Sequence, residues 1–189
     1  MANASITAFT GSAQQAVAAI IQACPNPADA ITALLQLTGY APTAIQDSSV
    51  VGVAMTTVQT ATAALLRRFA VLGICQVVPA YQPSSYDDAA TLRTMVCSLL
   101  DMEIHAAADA GQDRTYLALR KVRAGMVADL TARAASLAKM TTFSAGAALP
   151  ALVLAQRLYR DPGRADELVD QANPVHPAFM PTSFNALTE

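Results

Sequence analysis

Three side chains that can bind a metal ion, Asp101, His105 and Asp109, follow one another at intervals of four residues. That interval places them on one face of a helix, where they could converge on a divalent cation. Two carboxylates and one histidine at this spacing are more typical of a solvated face, and Glu103 points elsewhere. His176 lies in a His-Pro turn with no cysteine or carboxylate at ligand spacing nearby. We therefore expect no metal ion and no cofactor.

A second group of acidic side chains could supply the carboxylate pair of a glycosidase. Its members are Asp161, Asp166, Glu167 and Asp170. They surround the start of a short helix, where carboxylates stabilise the positive end of the helix dipole, so helix capping is the preferred interpretation. The sequence also has no Ser-His-Asp pattern, no phosphate-binding loop and no GxGxxG motif. We expect that the protein is not an enzyme.

A third group combines arginine with tyrosine near the end of the chain, where Arg157, Arg160 and Arg164 surround Tyr159. Tyrosine and arginine are enriched at the energetic centres of protein interfaces. The candidate interface is therefore composed of Arg157, Tyr159, Arg160 and Arg164. A solvated rim is the simpler alternative.

The composition favours a protein that binds other proteins. Hydrophobic residues make up 53% of the 189 residues and charged residues only 14%. Because ordinary soluble surfaces carry more charge, we expect a partner to cover part of the surface and we expect a homo-oligomer. The net charge of −2 provides no attraction for a phosphate backbone, so direct binding to nucleic acid is not expected.

Residues 48–66 carry no charge and are long enough to cross a membrane. Serine, threonine and glutamine interrupt that stretch, so a packed helix of a soluble protein is preferred and no membrane partner is expected. The N-terminal sequence MANASITAFTGS lacks the basic start and apolar core of a signal peptide, which predicts synthesis in the cytoplasm. Cys24, Cys75 and Cys97 lie in apolar stretches and are expected to be buried free thiols.

Helical patterns dominate the chain up to Lys139. Start and stop signals divide this part into helices over about 12–24, 27–38, 48–78, 85–110 and 113–139. The last two are joined by a short loop, so they should pack as an antiparallel hairpin that buries Leu99 and Leu130. Arg67 and Arg68, alone in a long uncharged run, are expected to mark a solvent-facing turn.

The pattern changes after Lys139 and predicts a helical domain over 1–139 and a small module over 140–189. MTTFSAG and SFNALTE predict strands, and two short helices are predicted between them, over 149–159 and 164–172. The predicted fold class is therefore mainly α, a helical bundle or hairpin body with a small α+β module of strand–helix–helix–strand order. The module's core is expected to contain Phe143, Leu152, Leu158, Tyr159, Leu168, Val169 and Phe179.

This order, together with the segments LAQRLYRDPGRADELVDQAN and HPAFMP, resembles a LysM domain. LysM domains place two short helices on one face of a two-stranded antiparallel sheet. They share a helix that ends near a tyrosine, a second helix that ends in Ala-Asn or a similar pair, and a proline before the last strand. Phage tail versions commonly read Leu-Tyr-Gly-Asp, and this chain has Arg160 in place of that glycine. The departure concerns the geometry of the turn, which arginine can adopt at an energetic cost.

A wider resemblance covers residues 84–189. The segments SYDDAATLR and VRAGMVADLTARAASLAKMTTF, with those above, are similar to the C-terminal part of the Mu-like phage DNA circularisation protein N. That family is a tail and baseplate component of contractile phages and related prophages. The N-terminal helices match it only loosely, and nothing matches the family's N-terminal domain. The resemblance therefore implies a C-terminal fragment or a short variant.

The resemblance also implies a function. It predicts a structural protein of the tail baseplate or hub that docks to other tail proteins, such as the hub, tail tube or tape measure. Such a protein is made in the host bacterial cytoplasm and resides in the virion tail. Two alternatives remain open, a peptidoglycan-binding module of LysM type and a cytoplasmic tail-assembly factor that is absent from the finished particle.

Overall fold

The computed structural model describes residues 2–43 and 45–188, with side chains from Ile6 onward. Within these residues the chain is mainly helical and contains one small antiparallel sheet of two strands, as predicted. The elements are α1 (Ala2–Ala23), α2 (Pro27–Thr38), α3 (Val50–Val77), α4 (Tyr86–Asp109), α5 (Asp113–Ala134), β1 (Met140–Ser144), α6 (Ala151–Tyr159), α7 (Ala165–Ala172) and β2 (Ser183–Leu187). Short 3-10 turns follow α3 and precede α7.

The chain forms two compact units. The helical unit contains the residues up to Gln82 together with Leu92–Leu130, and the C-terminal unit contains Pro83–Thr91 and the residues from Thr131 onward. These bounds differ from the predicted division at Lys139. Within the C-terminal unit, the N–H of Tyr86 donates to the carbonyl of Ala138 at 2.9 Å, and the N–H of Met140 donates to the carboxylate of Asp87 at 2.7 Å. The first turn of α4 is thereby tied to the segment that leads into β1.

Side-chain caps set where several helices begin. The side chain of Asn26 accepts a hydrogen bond from the N–H of Ala28 at 3.0 Å, which caps α2 at the predicted position. At the start of α4, Ser85 Oγ accepts from the N–H of Asp88 at 3.1 Å, and the Asp88 carboxylate accepts from the N–H of Ser84 at 2.9 Å. This reciprocal arrangement satisfies two backbone donors that the helix itself cannot.

One predicted start is wrong. α1 begins at Ala2, and Ser12 lies inside the helix, where its hydroxyl donates to the carbonyl of Ala8 at 3.1 Å. A serine in this position bonds back to the preceding turn instead of capping a new helix. The alanines before Ser12 favour the helix, so the helical segment extends through the apparent capping signal.

A single apolar core holds the helical unit together. Its most deeply buried large side chains are Leu34, Ile74, Val78, Val96, Leu100 and Leu130. Leu99 and Leu130 are both buried in this core, as predicted. Leu117 lies in the same helix as Leu130 but is 62% exposed. It precedes the buried Leu119 by two residues, a spacing that places it on the opposite side of the helix.

The contact between α4 and α5 is reinforced by a bidentate ion pair. Arg123 of α5 donates from Nε to Asp101 Oδ1 at 2.7 Å and from Nη2 to Asp101 Oδ2 at 3.0 Å. This hydrogen bond raises the pKa of Arg123. Asp101 and Arg123 lie at similar distances along the chain from the loop at Gly111, as expected for neighbours across an antiparallel hairpin.

A second ion pair joins α3 to α4 and is partly buried. Arg68 Nε donates to Glu103 Oε2 at 3.0 Å, and Arg68 Nη1 donates to Gln112 Oε1 at 3.0 Å. Glu103 is only 7% exposed. The expectation that Arg67 and Arg68 mark a solvent-facing turn is therefore wrong for Arg68. Its partner is 35 residues away in the sequence, and no local pattern connects the two.

The three cysteines are free thiols. Cys75 is buried, and this burial raises the pKa of its thiol to about 11, an effect to which Cys97 contributes. Cys24 and Cys97 are half-buried. The expectation of buried free thiols is therefore confirmed for Cys75 and holds in part for the other two.

We expect Leu99→Ala to lower the free energy of unfolding by about 2–3 kcal/mol, because it removes a buried side chain and leaves a cavity. Leu99 is 9% exposed, which favours the lower part of the usual range. Leu117→Ala is the matched control and should change stability by less than about 0.5 kcal/mol. Urea unfolding followed by circular dichroism measures both, and equal losses would contradict the assigned helix faces.

We also expect Arg68→Met to cost roughly 3 kcal/mol, because Glu103 would remain buried without its ionic partner. The double variant Arg68→Met with Glu103→Leu should recover most of that loss, since two apolar side chains can replace a buried ion pair. A double-mutant cycle in urea provides the coupling energy between the two residues. Additive losses would mean that the pair is not coupled in solution.

Candidate interaction site

The C-terminal unit is built on the antiparallel pair of β1 and β2. The strands pair over five residues, with Phe143 opposite Phe184. Along β2, Phe184 and Ala186 are buried and their neighbours are more exposed, which is the alternation expected of a strand with one buried face. The rings of Phe143 and Phe184 lie 5.6 Å apart between centroids and tilt against each other, a favourable aromatic geometry.

The helices α6 and α7 pack against the buried face of this sheet. Their buried side chains are Ala151, Leu154, Ala155, Tyr159, Ala165 and Leu168. Met180, from the loop before β2, is fully buried with them, and its N–H donates to the carbonyl of Leu149 at 3.1 Å. The unit therefore has a core of its own, separate from that of the helical unit.

Two of the seven predicted core side chains are exposed. Leu152 is 61% exposed because it follows Ala151 by one residue, and the helix turns it away from the buried stripe. Phe179 is 71% exposed because the interior position in this loop is taken by Met180.

The other five core predictions hold wholly or in part. Tyr159 and Leu168 are buried, and Phe143, Leu158 and Val169 are partly buried against the same core. Met180 and Leu154, which are fully buried, were not predicted.

The turn after α6 has a left-handed backbone at Arg160, with φ 54° and ψ 19°. This region of backbone conformation favours glycine, and an arginine occupies it here. A left-handed conformation costs an L-residue about 1–2 kcal/mol because its Cβ approaches the following carbonyl. The next residues close the turn, since Asp161 Oδ1 accepts a hydrogen bond from the N–H of Gly163 at 2.8 Å.

Two members of the candidate interface are engaged inside the unit. Tyr159 is buried, and the guanidinium of Arg164 lies over its ring at 3.7 Å from the centroid. Arg164 also donates to both carboxylate oxygens of Glu167, at 2.7 and 2.8 Å. Tyr159 and Arg164 therefore stack internally and link α6 to α7.

The local charges act on these groups in the expected directions. The hydrogen bonds from Arg164 hold the pKa of the Glu167 carboxyl below its usual value. Burial raises the pKa of Tyr159, and the negative charge of Glu167 raises it further. Each shift moves the pKa of its group further from neutral pH.

The other two members, Arg157 and Arg160, are exposed. Arg157 lies in the last turn of α6, and Arg160 directly follows the helix. We call these two residues the arginine pair. It is the part of the predicted interface that is accessible to a partner.

The carboxylates considered for chemistry are engaged elsewhere or dispersed. Asp101 binds Arg123, Asp161 caps its own turn, and Glu167 binds Arg164. Across residues 2–43 and 45–188, no three histidine, cysteine, aspartate or glutamate side chains are arranged to hold a metal ion.

An exposed apolar surface on the helical unit was not predicted. We define the α3 face as Ile6, Phe9, Val50, Val51, Met55 and Val58, each of which is 46% exposed or more. Two shallow grooves of about 600 and 630 Å³ run along it and share Val58. The sequence signal for this surface is the absence of charge over residues 48–66, a pattern that by itself predicts a packed helix. Val50–Ala80 is also long and apolar enough to cross a membrane, by length and composition alone.

Comparisons with known proteins assign no family to the chain. No protein-family model matches it, and no curated protein is detectably similar to it.

Arg160→Gly should raise the free energy of unfolding by about 0.5–1 kcal/mol, because glycine adopts the left-handed turn without steric cost. Arg160→Ala removes the same side chain but keeps Cβ, so it should change stability little. Urea unfolding of both variants separates the backbone effect from the loss of the guanidinium. Equal stability of the glycine and alanine variants would contradict a strained turn.

Proposed function

We propose that the protein is a structural component of a contractile, Mu-like phage tail, in the baseplate or hub, and that it acts by docking to other tail proteins. On this proposal the C-terminal unit is a LysM-like module and the protein is not an enzyme. Its partners are neighbouring tail proteins such as the hub, tail tube or tape measure. The protein would be made in the host bacterial cytoplasm and reside in the virion tail.

The observation that carries the proposal is the architecture of the C-terminal unit. It has strand–helix–helix–strand order, an antiparallel strand pair, and two short helices that share one core with that pair. The tyrosine that ends the first helix and the alanine and asparagine that end the second occupy helix ends, as in the LysM pattern. Arg160 supports the same interpretation, since its left-handed backbone is the conformation that favours glycine.

The arginine pair is the docking site that we assign to this unit. Guanidinium groups bind carboxylates through paired hydrogen bonds, and such contacts confer specificity. Arg157 and Arg160 are exposed, whereas Arg164 is occupied by Glu167. An acidic surface on a neighbouring tail protein is therefore the partner that fits the pair.

We expect Arg157→Glu with Arg160→Glu to reduce incorporation of the protein into tails while leaving the fold intact. Both side chains are exposed, so the change should shift stability by about 0.5 kcal/mol or less. Arg164 is left unchanged because a glutamate there would face Glu167. The measurement is the amount of protein in purified, tail-complete particles after complementation of a prophage that lacks the gene.

Arg114→Glu with Lys121→Glu is the matched control, since it reverses two exposed positive charges on α5 of the helical unit. If the arginine-pair variant is incorporated as well as the parent protein is, Arg157 and Arg160 are not part of the interface. Absence of the parent protein from finished particles would instead support a tail-assembly factor. Sedimentation of the purified protein with peptidoglycan would support a wall-binding module.

A further inference from the structure

We propose that the α3 face is a self-association surface, on which a second copy of this chain packs across a twofold axis. The proposal concerns the helical unit and is independent of the assignment to a phage tail. It rests on four features of α3 and its neighbour α1: local helix stability, hydrogen bonding, area and the pattern of side chains.

The first half of α3 is a poor helix by itself. Its sequence from Val50 to Ala61 is VVGVAMTTVQTA, rich in β-branched valine and threonine, which lose side-chain freedom in a helix. It contains no charged residue, so no ion pairs along the helix support it. Every residue in this segment except Gly52 and Gln59 is exposed. A helix segment of this composition is stable when another surface covers it.

Two of the three threonine hydroxyls in this segment, those of Thr56 and Thr57, are hydrogen-bonded within the helix. Thr56 Oγ1 donates to the carbonyl of Gly52 at 2.9 Å, and Thr57 Oγ1 donates to the carbonyl of Val53 at 2.9 Å. On α1, Thr10 Oγ1 donates to the carbonyl of Thr7 at 2.9 Å. These hydroxyl groups can lose their water without leaving an unsatisfied donor. The surface is thus suited to a dry contact.

The area of the α3 face fits a dimer. From their exposed fractions, its six side chains present on the order of 700 Å² to solvent, close to the ~800 Å² per partner of a standard interface. Two copies of the face would bury roughly 1,400 Å² in total, within the range of specific complexes.

The pattern of side chains favours a second copy as the occupant. Val50, Ala54 and Val58 form one ridge at intervals of four residues, and Val51 and Met55 form the next. Ridges of this class fit the grooves between the same ridges on an identical helix. The segment offers no charge for pairing with a charged partner, whereas two identical uncharged faces meet without repulsion.

A membrane fits α3 less well than a second copy does. The second half of the helix is packed in the core, where Ala70, Val71 and Ile74 are buried. Arg68 in the same half binds the buried Glu103. The helix could cross a bilayer only if this core opened and the ion pair separated, at a large cost in low dielectric. The exposed first half alone is too short to span.

The test is sedimentation equilibrium of the purified full chain under reducing conditions, over low to high micromolar concentrations. We expect the parent protein to dimerise, and Val51→Glu with Val58→Glu to weaken dimerisation at least about 100-fold, because four carboxylates would meet in the interface. Met102→Glu with Leu117→Glu is the matched control. It places the same charges at two other exposed apolar positions of the helical unit and should leave dimerisation unchanged.

Three results would overturn the proposal: a parent protein that stays monomeric at all concentrations, a charged α3 variant that associates as the parent does, and a control that loses association equally. Flotation of monomeric parent protein with phosphatidylcholine vesicles would assign the face to a membrane instead.

If the glutamate variant loses helical circular dichroism, Val51→Thr with Val58→Thr replaces it, since threonine nearly matches valine in shape. That variant must weaken dimerisation about tenfold for the proposal to stand. The arginine-pair variant should dimerise normally, which separates this test from that of the docking proposal.

Discussion

The close approach of α1 and α2 to α3 at Gly73 is the constraint on which the helical unit depends. A Cβ at this position would lie 2.6 Å from Val17 Cγ1 of α1 and 3.2 Å from Leu34 Cδ1 of α2, so any larger residue would displace Val17 and crowd Leu34. The second half of α3 is buried as a result, with Ile74 fully enclosed. The first half extends beyond this contact and keeps its apolar side chains in solvent. One helix thus provides both the centre of the core and the most apolar part of the exposed surface.

Local signals in the sequence were sufficient to predict most of the elements, because caps and turns act over a few residues. Asn26, Ser85 and Asp161 each form the short-range hydrogen bond that their positions predict. The failures concern tertiary context. The partly buried pairing of Arg68 with Glu103 joins two helices, and the exposure of Val50 and Val58 depends on where the neighbouring helices end. Within the candidate interface, the sequence groups Tyr159 and Arg164 with the two exposed arginines. It does not reveal that Tyr159 is buried or that Arg164 forms an ion pair with Glu167.

The α3 face and the arginine pair differ in chemistry because of where the charged residues lie. In the helical unit, Arg68 and Arg123 are paired with carboxylates, and the first half of α3 has no charge at all. In the C-terminal unit, Arg157 and Arg160 remain exposed. Apolar surface gains most from shape complementarity and the removal of water, whereas guanidinium groups select a partner by charge and hydrogen-bond geometry. A chain of this composition can therefore use one surface for its own copies and the other for a different protein.

The strained turn at Arg160 bears on which of these surfaces binds a foreign partner. An arginine with φ 54° costs more than a glycine at the same position, and the turn itself needs no side chain there. Arg160 is exposed, so its guanidinium does not offset that cost by packing in the core of the C-terminal unit. Backbone strain of this kind is typical of functional positions, where a contact with a partner provides the compensation. On the docking proposal, that compensation comes from a contact outside the C-terminal unit, which is why we propose the arginine pair, rather than the internal stack of Tyr159 and Arg164, as the recognition element.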